Sequence, residues 1–272
     1  MIDTPDPLIL IEGAQKLFRS RSGDSTEAIA DVSLTIPDKQ FLCVIGPSGC
    51  GKSTLLRLIA GLVGLSSGKV YIGGSEVRGP RRDIGLVFQT PVLLPWRNVL
   101  NNVLVPAEVL KLDKRLARKR AEELISLVGL DGFADRYPNE LSGGMRQRVA
   151  IARSLMHDPN ILLMDEPFGA LDALTREAMN LELLRIWQAS GKTVILVTHS
   201  IEEALLLSDK IAVMTARPGR IRDEIDVRLP RPRSAKTRMD PVFVRLAAEL
   251  RSYFDSAPST STREFTAAVA NQ

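Results

Sequence analysis

Cysteine is almost missing from this 272-residue chain: Cys43 and Cys50 are its only two, one in an apolar run and one in the loop that follows, with no second pair to complete a zinc site. A disulfide-stapled scaffold is excluded, and a reduced, cytosolic compartment is expected. Histidine is as scarce, with His157 and His199 alone, which excludes a histidine-rich metal centre. Long apolar runs are missing too. Uncharged ones, such as those around residues 58–67 and 98–107, fall well short of the roughly 18 residues of a membrane span. The opening Met1-Ile2-Asp3-Thr4-Pro5-Asp6 has neither the basic nor the apolar region of a secretory leader, so a soluble chain with no removed segment is expected. Neither sign of charge dominates, since 36 Lys and Arg stand against 32 Asp and Glu. These charges interleave, as along residues 114–123, in the manner of a solvated helix face. No nucleic-acid partner is expected. Internal repeats and coiled-coil heptads are absent as well. What is left, 44% hydrophobic and 25% charged, is the composition of an ordinary folded domain and excludes disorder and fibrous architectures.

Four short runs rich in β-branched or long aliphatic residues do stand out, at residues 41–45, 161–164, 193–197 and 210–214. Near-continuous hydrophobicity with helical segments between is the pattern of parallel strands covered on both faces. Three of the runs end directly in glycine or polar residues: Gly46 onward, Asp165-Glu166, and Thr198-His199. Ligands of an open parallel sheet bind beyond the carboxyl ends of its strands, so the chemistry belongs at that edge. Segments 8–12, 28–36 and 68–73 are short, alternating and turn-bounded, which predicts an antiparallel sheet beside the main one. Helices are predicted over 98–110, 114–128 and 145–157, as a helical subdomain inserted into an α/β core. Residues 228–233 read as a linker by composition. Over 241–254, Val242, Leu246, Leu250 and Phe254 form one apolar stripe. The Ser/Thr/Ala-rich end from Ala257 is predicted to be mobile.

Gly46-Pro47-Ser48-Gly49-Cys50-Gly51-Lys52-Ser53-Thr54 satisfies G-x-x-x-x-G-K-[ST] between an apolar strand and a helical run. Glycines let successive backbone N–H groups turn inward on a phosphate, the helix N-terminus adds partial positive charge, Lys52 reaches the β- and γ-phosphates, and Ser53 can ligate Mg²⁺. Asp165 follows a buried strand and is placed to hold that ion, while Glu166 can point at a water aligned with the γ-phosphate. Ser142-Gly143-Gly144 opens a helix with Ser142 as N-cap, and two glycines are more than a cap needs, so a second anion site is expected. His199 arrives at the same sheet edge as Asp165 and Glu166. Gln89 ends a further apolar run, 84–88, within reach of metal or water.

Taken together these residues resemble the ATPase subunit of an ATP-binding-cassette (ABC) transporter, over residues 8–227. The phosphate loop is the Walker A motif, Gln89 the Q-loop glutamine, Leu141–Met145 the signature (residues 141–145), Asp165-Glu166 the end of Walker B, Ala170-Leu171-Asp172 the D-loop and His199 the H-loop. The resemblance implies a P-loop NTPase fold with ATP and Mg²⁺, Glu166 as general base, Gln89 and His199 at the γ-phosphate, and Asp172 near the nucleotide. Phe18 is the best match to the aromatic that stacks on adenine, although residues 19–26 make a longer connection than usual. It also implies an ATP-bound homodimer in which the signature of one copy caps the nucleotide of the other. The stretches 88–99 and 211–221 are similar to the nitrate/sulfonate/taurine class of bacterial importer ATPases. That class works on a transmembrane permease at the cytoplasmic face of the cell membrane, with an external substrate-binding protein.

The division expected on this basis is a nucleotide-binding α/β core with its antiparallel subdomain at 8–89 and 160–227, a helical signature subdomain at 90–159, and a C-terminal linker, amphipathic helix and tail at 228–272. The large regulatory domain of sugar-importer ATPases is not expected here. Leu93, Leu94 and Trp96, flanked by prolines, read equally as a groove for a partner's helix and as subdomain core. A soluble ABC ATPase acting on nucleic acid or ribosomes is the alternative, disfavoured because such proteins carry tandem cassettes or coiled-coil insertions. A P-loop kinase is disfavoured by the Ser-Gly-Gly signature and the Glu166/His199 pair.

Overall fold

Alternation inside the four apolar runs builds the centre of the molecule. They form strands β3 (Phe41–Ile45), β7 (Ile161–Asp165), β8 (Thr193–Thr198) and β9 (Lys210–Met214). Phe41, Cys43 and Ile45 enter one buried cluster while Leu42 and Val44 enter another, and the other three strands divide their residues in the same way. Strands apolar on both sides are stable only where both faces are covered. Here the first cluster packs beneath helices and the second against α1 (Lys52–Ile59) and a second sheet. The computed structural model describes residues 7–19 and 24–255. Residues 20–23 of the 19–26 connection and the end of the chain from Ala257 lie outside these residues.

The main sheet runs β10-β9-β3-β8-β7-β6, with β6 at Ile84–Val87 and β10 at Ile221–Asp226. Every pairing is parallel except β10 with β9. The charged Arg222-Asp223-Glu224 segment of β10 has no apolar alternation, and only its pairing to β9 makes it a strand. The second sheet is antiparallel, in the order β2-β1-β4-β5, from β1 (Ile9–Arg19), β2 (Ser25–Ile36), β4 (Ser67–Ile72) and β5 (Ser75–Glu76). The architecture is thus the expected α/β one: a mainly parallel core sheet, an N-terminal antiparallel sheet and inserted helices.

Between β6 and β7 the chain is helical. The single helix expected over 98–110 is two, α2 (Val99–Val103) and α3 (Val105–Val109), because Pro106 at the start of α3 has no N–H to continue the ladder. Next come α4 (Lys114–Leu127) and α5 (Gly143–Leu155). The basic run of α4 does face solvent, with Ala117, Ala121, Leu124 and Ile125 buried and Arg118–Glu122 paired one turn apart. Farther along the chain come the α-helices α6 (Ala173–Ser190), α7 (Ile201–Leu207) and α8 (Pro241–Asp255). The stripe expected on α8 packs on the main core through Leu246 and Leu250, together with Phe243 and Ala247.

The stretch at 228–233 is pinned rather than a free linker. Arg233 is buried; its Nη1 donates to the carbonyls of Leu205, Leu206 and Ser208, and its Nη2 to those of Val227 and Leu229. Burial pushes this guanidinium down to about 10, yet its donors satisfy carbonyls at the end of α7 that would otherwise be orphaned. Arg231 pairs with Asp209 at 2.6 Å and lies over the Trp187 ring. Composition predicted a linker because prolines and arginines alternate there; the unpaired carbonyls that receive them are visible only in the folded chain. Arg233→Met should leave these carbonyls unpaired and destabilise the protein by about 2–4 kcal/mol. The check is the thermal midpoint, expected to fall by several degrees; an unchanged midpoint would mean that the clasp is dispensable.

Candidate active site

The phosphate loop connects β3 to α1, and its shape is dictated by contact with β2. Gly51 has φ 107°, and a Cβ there would lie 2.6 Å from the Ala28 carbonyl oxygen, so no other residue fits. Lys52 is buried, its Nζ donating to the Gly46 and Pro47 carbonyls at 2.8 and 2.9 Å. That ammonium is held inside the loop by carbonyls it can exchange for an anion. Ser48, Gly49, Gly51, Lys52, Ser53 and Thr54 line a cavity of about 320 Å³, joined by Phe18, Thr26, Ala28, Glu166 and Arg217. Phe18, near the end of β1, is 44% exposed, with Lys16 Nζ 5.1 Å from its ring centroid. An aromatic face thus sits at one side of a basic, N–H-rich loop.

Across the cavity, the strand ends deliver the carboxylates. Ser53 Oγ donates to Asp165 Oδ1 at 2.8 Å. These are oxygen donors, which suit a hard divalent cation that also takes oxygens from a ligand. Glu166 continues the ladder by donating its N–H to Val197 O, then leaves it with φ 44°, a left-handed conformation costly for glutamate. This turn brings Glu166 Oε2 to 3.1 Å from His199 Nδ1. Gln89 reaches the same place: a Cβ on Gly169 would lie 3.4 Å from Gln89 Nε2 and 3.5 Å from Glu166 Oε2. Three elements distant in sequence converge beside the phosphate loop.

Asp165 and His199 do not line the cavity themselves but bond Ser53 and Glu166, which do; Ser142, Gly143, Gly144 and Asp172 do not line it. Ser142 Oγ accepts from Met145 N as the N-cap of α5, and Asp172 caps α6 by accepting from Thr175 N and Oγ1. A Cβ on Gly143 would meet Leu171, and one on Gly144 would meet Thr175, each at 3.2 Å. The two capped helix starts therefore pack against each other, and a ligand at Ser142-Gly143-Gly144 would have to be presented from elsewhere.

The family model described as ABC transporter matches residues 29–169, which span the loop, Gln89, the Ser-Gly-Gly cap and both carboxylates. The chain belongs to the ABC transporter family. Over 255 residues it is 46% identical to the taurine import ATP-binding protein TauB of Rhizobium johnstonii, covering 92% of this chain and 97% of that one. With the aliphatic sulfonates import ATP-binding protein SsuB of Bacillus licheniformis it shares 47% identity over 239 residues, 88% of this chain and 91% of the relative. Among solved structures, the dimeric post-hydrolysis state of the ATP-binding cassette MJ0796, bound to ADP and Pi, is similar at a TM-score of 0.71 and 35% identity, covering 81% of this chain and 99% of that one. The chain is an ATP-binding cassette and an ATPase.

Several contributors to this ABC site carry no sequence signal of their own. Thr26, Ala28 and Arg217 reach the cavity only through tertiary contact between β2, the loop and the β9–β10 turn. Glu203, on α7, is buried beneath His199. Its carboxylate accepts from Thr198 Oγ1, Thr198 Oγ1 accepts from Ser200 N, and Ser200 Oγ accepts from Glu203 N, closing a small ring that holds the His199 turn. The lone signal was Ser200 three residues before an acid, a cap pattern. His157, the other histidine, bonds the Ile84 carbonyl and is structural.

Burial pushes the Glu203 carboxyl above the ordinary glutamate range. Below that range the folded and unfolded states are both protonated and nothing is lost; as pH rises through it, the unfolded state ionises first and stability falls. The thermal midpoint of Glu203→Gln relative to the unsubstituted protein should therefore rise as pH is raised from 5 to 8. A gap independent of pH would mean that Glu203 is ionised in the fold.

Proposed function

We propose that the chain powers a bacterial importer of a small solute of the nitrate, sulfonate or taurine kind, as two copies on a transmembrane permease at the cytoplasmic face of the membrane, served by an external substrate-binding protein. Near end-to-end likeness to taurine- and sulfonate-import ATP-binding proteins carries this reading. The residues around the cavity have matching work. Phe18 stacks on adenine, and the backbone N–H groups from Ser48 to Thr54 take the phosphates. Lys52 trades its Gly46 and Pro47 carbonyls for phosphate oxygens. Ser53 and Asp165, with Gln89, hold Mg²⁺, an assignment their oxygen-rich donor set fits; the ion, when bound, offsets charge on the phosphates. Glu166 takes a proton from the attacking water at a carboxylate oxygen, oriented by His199. Because Ser142, Gly143, Gly144 and Asp172 lie off their own chain's cavity, they fit a site completed by a second copy, with the signature of each capping the other's ATP. That completion excludes water and ties hydrolysis to closure.

The helical region has the contacts to pass closure on. At one end of α5 is Ser142; farther along, Gln147 Nε2 donates to Phe88 O, and Arg153 donates to the Pro91 and Val92 carbonyls at 2.8 Å. The loop after Gln89 is thus bonded to the signature helix. Asn102 knits the next turn: its Oδ1 accepts from Leu94 N, and its Nδ2 donates to the Leu94, Arg97 and Asn98 carbonyls. Leu93 packs on the core, whereas Trp96 is 71% exposed and Val92 58%. Beside them Pro95, Arg136 and Tyr137 border a cavity of about 920 Å³. Asp135, Asn139 and Glu140 also line that cavity, so the apolar part of this face is the exposed Val92 and Trp96 beside it, and there a permease helix docks. A soluble ATPase acting on nucleic acid has no observation in its favour, since the basic run of α4 is paired and solvated.

Removing a general base costs about 10²–10⁴ in rate. Glu166→Gln should bind MgATP as the unsubstituted protein does, hydrolyse it slower by that factor, and sediment as a dimer when saturated; hydrolysis at the full rate would remove Glu166 from the chemistry. Trp96→Ala should leave nucleotide affinity unchanged but lower co-purification with the permease and transport in reconstituted vesicles. Unimpaired transport by this variant would move the docking face elsewhere.

A further inference from the structure

The turn between β9 and β10, Thr215 to Arg220, has been given no chemical role above, yet it is bolted to the phosphate loop. Thr215 closes its base: its N–H donates to Arg220 O, its Oγ1 accepts from Arg220 N, and the same hydroxyl donates to Pro218 O. Gly219 then bridges to β2, donating to Ala28 O at 3.1 Å and accepting from Ala30 N at 3.0 Å. A Cβ on Gly219 would lie 2.2 Å from the Cys50 carbonyl oxygen, so the turn touches the loop backbone with no space between. From this braced platform Arg217 extends over the loop, its Nε and Nη2 donating to Gly49 O at 3.2 and 3.0 Å. Its Nη1 has no protein acceptor among the described residues, and no carboxylate there pairs with it. Arg217 lines the same cavity as Lys52, Ser53 and Phe18. Its charge is felt inside the loop, where Lys52 and Arg217 oppose the upward push that burial exerts on the Cys50 thiol.

An unpaired guanidinium is not needed to hold one carbonyl, since a neutral donor does that. We propose that Arg217 is a nucleotide-binding residue, anchored by one edge on Gly49 and presenting its free N–H groups to the phosphates of ATP in the loop. This rests on the ATP-site reading above and adds a second cation, besides Lys52, from outside the motif. Fixed in advance by the turn, the guanidinium loses little freedom when the anion arrives, and a planar fork suits phosphate oxygens.

The test titrates MgATP against the full chain at fixed ionic strength for the unsubstituted protein, Arg217→Lys and Arg217→Gln, with thermal midpoints measured without nucleotide. Lysine keeps the charge; glutamine keeps a donor for Gly49 O without it. Arg217→Gln should bind about tenfold more weakly, as for one charge-assisted hydrogen bond, and with a shallower salt dependence. Arg217→Lys should stay within about threefold, and the nucleotide-free midpoints should hardly move. Equal affinity for the glutamine variant and the unsubstituted protein would overturn the assignment. So would equal losses in both variants with lowered midpoints, which would make Arg217 a structural pin alone. An unsubstituted chain that bound no MgATP would bring down the ATP-site reading itself, a distinct result.

Discussion

Register in the parallel ladder joining β3, β8 and β7 is the constraint under every feature of the site. Ile45 lies opposite Thr198, and Val197 opposite Asp165. In consequence the phosphate loop, the His199 turn and the Asp165-Glu166 pair leave the sheet at one level and on one edge. Each strand is buried on both faces, and a one-residue slip would exchange the two sets of side chains between clusters of different shape. The core therefore specifies the relative height of three functional loops, and the Ser53–Asp165 hydrogen bond and the His199–Glu166 contact follow from it.

Strain is concentrated where that edge meets the cavity. Glu166 is the one cavity-lining residue other than glycine with a left-handed φ, adopted at the step where the ladder hydrogen bond to Val197 ends. Beneath it the ring of Thr198, Ser200 and Glu203 holds the histidine, while Arg176 on α6 donates to the Phe168 and Leu171 carbonyls and holds the loop after Glu166. Catalytic groups of this kind gain from being held before the substrate arrives, because reorganisation during reaction is then small. The carboxyl edge is braced from below by α7, and α7 in turn by Arg233 and α8.

The helical region is built on a different principle. Few of its ties to the sheet are strand-like; they are side-chain donors of α5 reaching backbone carbonyls of the loop after β6. Such contacts transmit displacement between a helix and a loop without fusing them into one sheet. The face that carries Val92 and Trp96 is thereby tied to the signature helix, whose apolar residues Val149, Ile151 and Leu155 share one buried cluster with the sheet.

The phosphate loop, the paired acids, the Ser-Gly-Gly cap and the core strands were legible from residue types and spacing, because each is a local rule: glycines for a tight turn, unbroken aliphatics for a strand covered twice, a hydroxyl for a cap. The break at Pro106 obeys a local rule too, but one that a periodicity over residues 98–110 hides. Arg233, Arg217, Glu203 and strand β10 were not legible, because what defines each is an acceptor or a neighbouring strand far along the chain. The chain by itself determines which chemistry is available, since phosphate-binding turns and strand-end carboxylates are made from neighbouring residues. Only the tertiary structure decides which distant groups join that chemistry, since carbonyls left unpaired at a helix end, or a turn pressed against a loop, exist only once the strands have taken their register.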